Sequence, residues 1–349
     1  MDVNLLSNAN IQKTNLQKAN LQILTDTKTR YNLLKTKELQ SVAKIESSLM
    51  KGARKYFEQE NFVEMMVPHL TQATGACENF MTVFEVEFFG GKKYLAQTGQ
   101  LYLEVMTPFL DKVWCVGPSF RAEPDVDDRH LIEFPLVEIE HIGHFPQLLC
   151  HVEKTITSMV QEVLAENQEE LKFLGSNIEM LEGVKPPFEK ITYTEAVEML
   201  AEFGVKWGDD LKSKHEKYLA EKFGKPFFIT HFPKEIKFFN MKVDETNPTV
   251  VKSADLILPF SGEAVGAAER EYKYEKLRER LSQSTMLKLI EQRGGSIKDF
   301  NWFLEFYRTH DAVPHSGCGF GFNRITQFVI NSPDIRMSTT FPLNREAVI

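Results

Sequence analysis

Cysteine is scarce in this chain, which has four cysteines among 349 residues. They lack the CxxC spacing of many zinc sites and redox motifs, so neither a disulfide framework nor a zinc ribbon is indicated. The sequence also lacks an apolar run of roughly 18 residues and the pattern of a secretory signal peptide. We therefore expect a reduced, cytoplasmic protein that does not span a membrane. The cysteines are Cys77, Cys115, Cys150 and Cys318.

Positive charge is in deficit, since 41 lysines and arginines face 49 aspartates and glutamates, for a net charge of -8 at pH 7. This balance argues against a broad nucleic-acid-binding surface, although a local basic patch is compatible with it. The chain is 42% hydrophobic and 26% charged, as is ordinary for a soluble protein with a large core. We expect one large domain, or one domain with a small insertion.

A five-residue period runs through residues 8–22, in which Asn and Gln recur at fixed positions. The pattern resembles pentapeptide repeats, whose coils stack into a solenoid. Three copies can barely bury a core, because stacked repeats need neighbours and caps. We therefore predict that residues 1–29 form a polar, partly ordered leader.

The stretch 120–140 predicts a hairpin. Its second arm, residues 134–140, alternates apolar and acidic side chains as a half-buried strand does, and residues 124–128 are typical of a turn. A guanidinium suits phosphate or carboxylate, and an aromatic ring stacks on a flat heterocycle. The chemistry that fits is a nucleoside triphosphate meeting a small polar acid. The alternative is a charged hairpin whose arginines only pair with neighbouring glutamates. The side chains brought together are Arg121, Arg129, His130, Phe134, Glu138 and Glu140.

A glycine-rich stretch, residues 313–324, precedes an apolar segment at 325–330 that is predicted to be helical. Alternate glycines, including Gly321, let the backbone approach a ligand closely, and Arg324 is expected at the start of the helix. The pattern GxGxGxxR is weak alone and does not match a dinucleotide-binding fingerprint, because no βαβ unit of ~30 residues surrounds it.

The two stretches together resemble motifs 2 and 3 of the class II aminoacyl-tRNA synthetases. FRAE, RHLxEF and VExE correspond to motif 2, and GxGxGxxR corresponds to motif 3. Three further segments are similar to asparaginyl-tRNA synthetase and its relatives. They are VPHSG before motif 3, TGQL at 98–101, and WGDDL at 207–211 with Glu216 downstream. The resemblance covers residues 30–343, approximately. It implies an α/β (α+β) fold with a mostly antiparallel sheet flanked by helices.

An amphipathic helix at 36–59, followed by an apolar strand at 62–68, resembles motif 1 and implies a homodimer. Asparaginyl and aspartyl synthetases carry an N-terminal OB-fold that reads the anticodon, and such a fold needs on the order of 70 to 100 residues. About thirty residues precede the predicted helix here. We therefore expect residues 30–349 to form a catalytic domain without an anticodon-binding OB-fold.

The resemblance also implies a site that binds ATP, Mg2+ and an amino acid. Physically, the carboxylate at position 104 accepts hydrogen bonds from an amide and repels a second carboxylate, which favours an amide side chain in the substrate unless Glu104 is protonated or holds an amine. For catalysis and nucleotide binding the resemblance implies Arg121, Arg129 and Arg324, and for nucleotide binding it also implies Glu123, His130, Phe134 and Gly321. The implied amino-acid ligands are Gln100, Glu104, Glu138 and Arg270. The implied metal ligands are Glu263 and Asp255.

Four residues, at three places in the chain, depart from the family pattern. Glu269 replaces a glutamine of the bacterial enzymes, Asn323 stands where motif 3 has an acid, and His310-Asp311 replaces a tyrosine-glycine pair. Glu269 and its surroundings resemble archaeal-type members and the related archaeal asparagine synthetase, which also lacks an anticodon domain.

We therefore predict an ATP-dependent ligase that forms an aminoacyl adenylate of aspartate or asparagine. Our first hypothesis is a paralogue that passes the activated acid to ammonia or a small amine. The second is a genuine asparagine-tRNA ligase, so tRNA is a partner that we consider without favouring it. The third is a non-catalytic module that binds an amino acid or nucleotide.

Overall fold

The computed structural model describes residues 23–73 and 80–347. The predicted repeats at 8–22 lie outside the described residues, so the leader remains a prediction. Eleven strands are found in the described part of the chain. They are β1 (Val63–Glu64), β2 (Leu70–Thr71), β3 (Glu85–Phe88), β4 (Gly91–Leu95), β5 (Lys112–Phe120), β6 (Glu133–Ile142), β7 (Glu189–Thr192), β8 (Phe227–Thr230), β9 (Ser253–Leu258), β10 (Gly262–Glu269) and β11 (His315–Gly321).

Eight strands form one sheet in the order β1-β5-β6-β11-β10-β9-β8-β7, and β2, β4 and β3 form a small second sheet. All strand pairs between β5 and β8 across the large sheet are antiparallel, while the two outermost pairs, β1 with β5 and β7 with β8, are parallel. The expectation of a mostly antiparallel sheet flanked by helices is therefore confirmed.

Helices cover the sheet and build the walls around it. Within the described residues they are α1 (Lys37–Gln59), α2 (Gln100–Leu110), α3 (Phe145–Glu166), α4 (Gln168–Leu174), α5 (Ile178–Glu182), α6 (Tyr193–Met199), α7 (Ser213–Phe223), α8 (Tyr274–Gln283), α9 (Thr285–Gln292), α10 (Asn301–Thr309) and α11 (Phe322–Val329). None of these helices is long and apolar enough to traverse a bilayer.

Helix α1 follows the predicted spacing closely. Thr36 caps its first turn, and Val42, Ile45 and Leu49 are buried on one face, as a three-to-four apolar period dictates. That face packs against α3. At Gly52 an added Cβ would lie 2.6 Å from the Ser158 carbonyl oxygen, so glycine lets the two helices approach closely.

One predicted boundary differs from the structure. The strand predicted at 62–68 is reduced to Val63–Glu64 at the edge of the large sheet, and Pro68 further along has no N–H to extend the pairing. Helix α3 begins at Phe145, where His144 and Gln147 form a capping box, and Asn167 separates it from α4.

The central strands align chemically active residues across one face of the sheet. Glu138 on β6 is opposite Gly319 on β11, Gly319 is opposite Gly266 on β10, and Gly266 is opposite Asp255 on β9. Since side chains alternate across a strand, these positions project to the same face. The glycines in the middle of the row leave a depression between the two carboxylates, and that depression is the floor of a cleft.

Candidate active site

A cleft of about 370 Å³ lies on this face of the sheet. It brings together residues that are more than two hundred positions apart in the sequence. Most of the predicted site residues line it, and they are Gln100, Arg121, Glu123, Phe134, Glu138, Asp255, Glu263, Arg270, Gly321 and Arg324. The remaining three, Glu104, Arg129 and His130, lie outside its lining and are described below.

Arg121 and Phe134 are neighbours across the base of the hairpin. The guanidinium carbon of Arg121 lies 5.3 Å from the centroid of the Phe134 ring, at cation–π distance. Among the described residues, the buried Arg121 Nε has no hydrogen-bond partner. A buried donor without an acceptor is costly, so this atom is prepared for an anionic or polar ligand.

Arg129 and His130 line a smaller cavity, of about 50 Å³, together with Arg121, Phe134 and Arg324. The hairpin loop that carries them is held by Asp127, whose Oδ1 accepts from the backbone N–H groups of Arg129 and His130, each at 2.8 Å. Its Oδ2 lies 2.7 Å from His130 Nδ1. The loop therefore presents these two side chains beside the cleft instead of extending freely from it.

Arg324 connects the glycine-rich strand to the rest of the site. Its NH1 donates to the carbonyl oxygens of Ser261 and Glu263, each at 3.1 Å, and its NH2 donates to the Arg129 carbonyl at 3.3 Å. Burial lowers the pKa of Arg324, and the positive charge of Arg129 adds to this effect. An anion in the cleft would relieve this repulsion between cations.

Glu138 lies at the centre of the floor. Its carboxylate accepts hydrogen bonds from the Thr98 hydroxyl and, at 2.7 Å, from the Gly99 backbone N–H. Burial raises the pKa of Glu138, and these two hydrogen bonds oppose the rise. The TGQL segment is thus the partner that orients this carboxylate.

Arg270 forms a buried ion pair with Glu140, and both residues line the cleft. Its NH2 lies 2.6 Å and its Nε 3.0 Å from Glu140 Oε1, whereas Glu140 Oε2 is buried without a partner among the described residues. Burial raises the pKa of Glu140 to about 7, against the lowering effect of Arg270. An added Cβ at Gly317 would lie 2.0 Å from the Glu140 carboxyl carbon, so glycine alone leaves room for this pair.

Glu104 lies beneath the cleft and is completely buried. Gln100 Nε2 donates to its Oε1 at 2.7 Å, and the Asn240 amide donates to the same oxygen. Tyr307 OH donates to its Oε2 at 3.2 Å. Glu104 therefore influences the cleft through the residues that surround it. Sequence reasoning did not select Asn240 or Tyr307, which lie in segments without a motif of the site.

His315 completes this buried cluster, since its Nε2 lies 3.5 Å from Glu104 Oε2. Burial lowers the pKa of His315, but the hydrogen bond to Glu104 and the negative charges of Glu104 and Glu140 together outweigh burial, so the net pKa is raised. The VPHSG motif contains this histidine, so a signal for it was present in the sequence.

The two predicted metal carboxylates have different surroundings. Asp255 is bound at both oxygens by Lys237 Nζ, at 3.1 and 2.9 Å, whereas the Glu263 side chain is exposed at the cleft. Within residues 23–73 and 80–347 no cluster of three or more histidine, cysteine or acidic side chains is arranged around a metal position. Mg2+ is commonly held by one or two carboxylates plus substrate phosphates, so Glu263 fits this ion and Asp255 fits only if Lys237 releases it.

Two of the departures from the family pattern face away from the main cleft. Glu269 accepts from Lys242 Nζ at 2.7 Å and from the Phe145 backbone N–H at 3.0 Å. Asn323 donates to the Ser338 carbonyl at 3.0 Å and to Glu46 at 3.3 Å. Neither side chain lines the main cleft, while Asn323 borders the smaller cavity beside Arg129 and His130.

Comparison with known proteins gives a consistent result. The family model of tRNA synthetases class II (D, K and N) matches residues 22–345. The asparagine–tRNA ligase of Pelotomaculum thermopropionicum is 39% identical over 317 residues, which are 90% of this chain and 71% of that protein. The asparagine–tRNA ligase of Pyrococcus abyssi is 36% identical over 332 residues, covering 94% of this chain and 73% of that protein.

Solved structures are similar as well. Asparaginyl-tRNA synthetase from Pyrococcus horikoshii, complexed with asparaginyl-adenylate, superposes with a TM-score of 0.85 at 33% identity, covering 94% of this chain and 73% of that one. These matches confirm the resemblance inferred from motifs 2 and 3. The chain belongs to the class II tRNA synthetases of the D, K and N group, and it is an ATP-dependent ligase of that family.

Proposed function

We propose that this protein activates asparagine with ATP and transfers it to tRNA, as an asparagine–tRNA ligase. The observation that carries this proposal is the excess of carboxylates at the floor of the cleft. Within the described part of the chain, the carboxyl groups of Glu104, Glu138 and Glu140 lie around one guanidinium, that of Arg270, with Glu104 just beneath the floor and His315 in contact with Glu104.

This charge balance favours an amide over a carboxylate in the substrate side chain. Aspartate would bring another negative charge into a buried region that already has more carboxylates than cations, at a cost that low polarity increases. The asparagine amide is neutral, and its NH2 group donates to carboxylates while its carbonyl accepts from Arg270. Gln100 and Glu104 support this subsite from below, and Glu138 receives the substrate ammonium group.

The nucleotide is assigned to the arginine-rich side of the cleft. Adenine stacks between Phe134 and Arg324, beside Gly321 and Glu123, and Arg121 contacts the α-phosphate. Arg129 and His130 hold the outer phosphates. The amino-acid carboxylate attacks the α-phosphorus, the bond to the β-phosphate oxygen breaks, and pyrophosphate leaves. These arginines position the reactants and stabilise the charge that develops, so the step needs no covalent enzyme intermediate and no general base.

Mg2+ is assigned to the triphosphate. Glu263 is the residue to hold it, with Asp255 as a second carboxylate after exchange with Lys237. A bound Mg2+ neutralises charge on the phosphates as the α-phosphorus is attacked.

The acceptor is proposed to be tRNA, in place of the ammonia or small amine that ranked first on sequence. The relatives at 36–39% identity described above are named asparagine–tRNA ligases, and Glu269, which suggested the other branch, lies outside the cleft. A homodimer, with motif 1 at its interface, remains part of the proposal.

Isotope exchange between ATP and pyrophosphate tests the activation step. We expect exchange with asparagine and little with aspartate, and then transfer of asparagine to an asparagine tRNA transcript. Arg270→Met, compared with the exposed control Arg308→Met on α10, should weaken exchange with asparagine and should not permit exchange with aspartate, because it removes the cation and enlarges the excess of carboxylates. Production of free asparagine and AMP from aspartate, ATP and ammonia would contradict the proposal and restore the first hypothesis.

A further inference from the structure

One wall of the cleft is built by α7 and the loop before it. Asp210, Leu211 and Glu216 from this region line the cleft. Tyr193 anchors the loop, because its hydroxyl donates to the Asp209 carbonyl at 2.6 Å and accepts from the Gly208 N–H at 3.1 Å. Glu216 thus projects from an element with a fixed position, and its side chain is only slightly exposed.

Glu216 binds two parts of the proposed nucleotide site at once. Its Oε2 lies 2.7 Å from Arg129 NH2 and accepts the Glu263 backbone N–H at 3.1 Å. It therefore ties the hairpin loop that carries Arg129 to the start of β10, where Glu263 lies. The positive charges of Arg129 and Arg324 repel each other, and the carboxylate of Glu216 offsets this repulsion.

The turn beneath this ion pair is shaped to admit it. Gly262 has a φ of +73°, and an added Cβ would lie 2.4 Å from Glu216 Oε2 and 2.8 Å from Arg129 NH2. Any larger residue would therefore push the pair apart and would also be strained by the left-handed backbone. The ion pair and the glycine fit one another, as expected for a fixed arrangement of Arg129.

We infer that Glu216 is a positioning residue for Arg129 and holds its guanidinium beside Glu263, where the outer phosphates of ATP bind. This inference rests on the proposed function, which assigns Arg129 to those phosphates. A guanidinium has five N–H donors in a fixed plane, so one donor can remain on Glu216 while others contact phosphate. Glu216 itself does not touch the ligand.

The test compares ATP with AMP, because AMP lacks the outer phosphates. Binding of each nucleotide, with Mg2+ and without amino acid, is measured by isothermal titration calorimetry on the full chain. For Glu216→Gln we expect the Kd for ATP to rise roughly tenfold, the loss typical of a weakened charged hydrogen bond, and the Kd for AMP to stay unchanged. Glu221→Gln, an exposed change on the same helix, should alter neither.

Further variants separate positioning from general structural damage. The double variant Arg129→Met/Glu216→Gln should bind ATP no more weakly than Arg129→Met, since Glu216 acts through Arg129. Glu216→Asp keeps the charge on a shorter side chain, and it should show a smaller loss that is again confined to ATP. Equal weakening of ATP and AMP, unchanged ATP binding, or additive losses in the double variant would overturn the inference.

The outcome is independent of the amino-acid assignment. If the loss is confined to ATP but asparagine supports no exchange, the proposed function fails while the role of Glu216 stands. If asparagine is activated but ATP binding does not depend on Glu216, the inference about Glu216 alone fails.

Discussion

Gly317 offers a sharp test of the buried Arg270–Glu140 pair. Glycine occurs here on β11 in ordinary extended backbone, so the substitution Gly317→Ala introduces no backbone strain. The new methyl group would, however, lie 2.0–2.3 Å from the three atoms of the Glu140 carboxyl group. Since Glu140 is held by Arg270 at 2.6 Å, the carboxylate must leave its partner or the strands must separate.

The expected loss of stability follows from these two alternatives. Separating a buried ion pair costs about 3–5 kcal/mol, and overpacking a core costs about 1–3 kcal/mol. Replacing glycine with alanine in compatible backbone gains about 0.4–1 kcal/mol through the unfolded chain. We therefore expect Gly317→Ala to lower the free energy of unfolding by about 2–4 kcal/mol. The KM for asparagine should rise at least roughly tenfold, because Arg270 loses its fixed orientation.

The measurement is urea-induced unfolding followed by circular dichroism, with Gly319→Ala as the matched control. Gly319 lies two residues further along the same strand, and its added Cβ would meet Leu136 at an ordinary 3.4 Å. The control should therefore change the unfolding free energy by less than about 1 kcal/mol. If both variants unfold alike, the close contact between Gly317 and Glu140 does not exist and the argument is refuted.

Two further predictions concern proton and metal binding. Burial raises the pKa of Glu46 to about 8, whereas the pKa of a glutamate in the unfolded chain is about 4.3. The protonated carboxyl group of Glu46 therefore contributes fully to stability below pH ~4, and this contribution is lost as pH rises through about 8. Between pH 5 and 9, wild type should lose roughly 4 kcal/mol relative to Glu46→Gln in urea unfolding, and parallel pH profiles would contradict this. Glu263→Gln should raise the Mg2+ concentration for half-maximal pyrophosphate exchange about tenfold, and Asp255→Asn should raise it less, because Lys237 already binds Asp255. Equal effects of the two variants would refute the assignment of Glu263 as the main ligand.

Much of the fold was accessible to sequence reasoning wherever a local period was strong. Helix α1 was predicted almost to the residue, because its buried face and the Thr36 cap are local properties. The hairpin of β5 and β6 was recognised from alternation and turn residues. The edge strand at 62–68 was overestimated, since the number of residues that pair depends on the neighbouring strand, which is distant in sequence.

In the candidate site, too, sequence reasoning found the residues that belong to a local motif and missed those that do not. Motif residues such as Arg121, Phe134 and Arg324 were selected from the sequence, and the structure brings them to one cleft and an adjoining cavity. Asn240 and Tyr307 were not selected, because a single asparagine or tyrosine outside a motif carries no local signal. Their importance arises only from the hydrogen bonds that they make to Glu104.

The sequence by itself determined the family, the positions of the helices with strong apolar periods and the chemical character of the proposed nucleotide site, because these depend on residue type and spacing along the chain. The tertiary structure alone decided which charges are paired. The sequence did not indicate whether Arg270 pairs most closely with Glu104, Glu138 or Glu140. It also did not indicate that Lys237 binds Asp255. Such pairings depend on the register of strands and on burial, which sets the cost of leaving a charge unpaired, and neither is encoded in a local pattern.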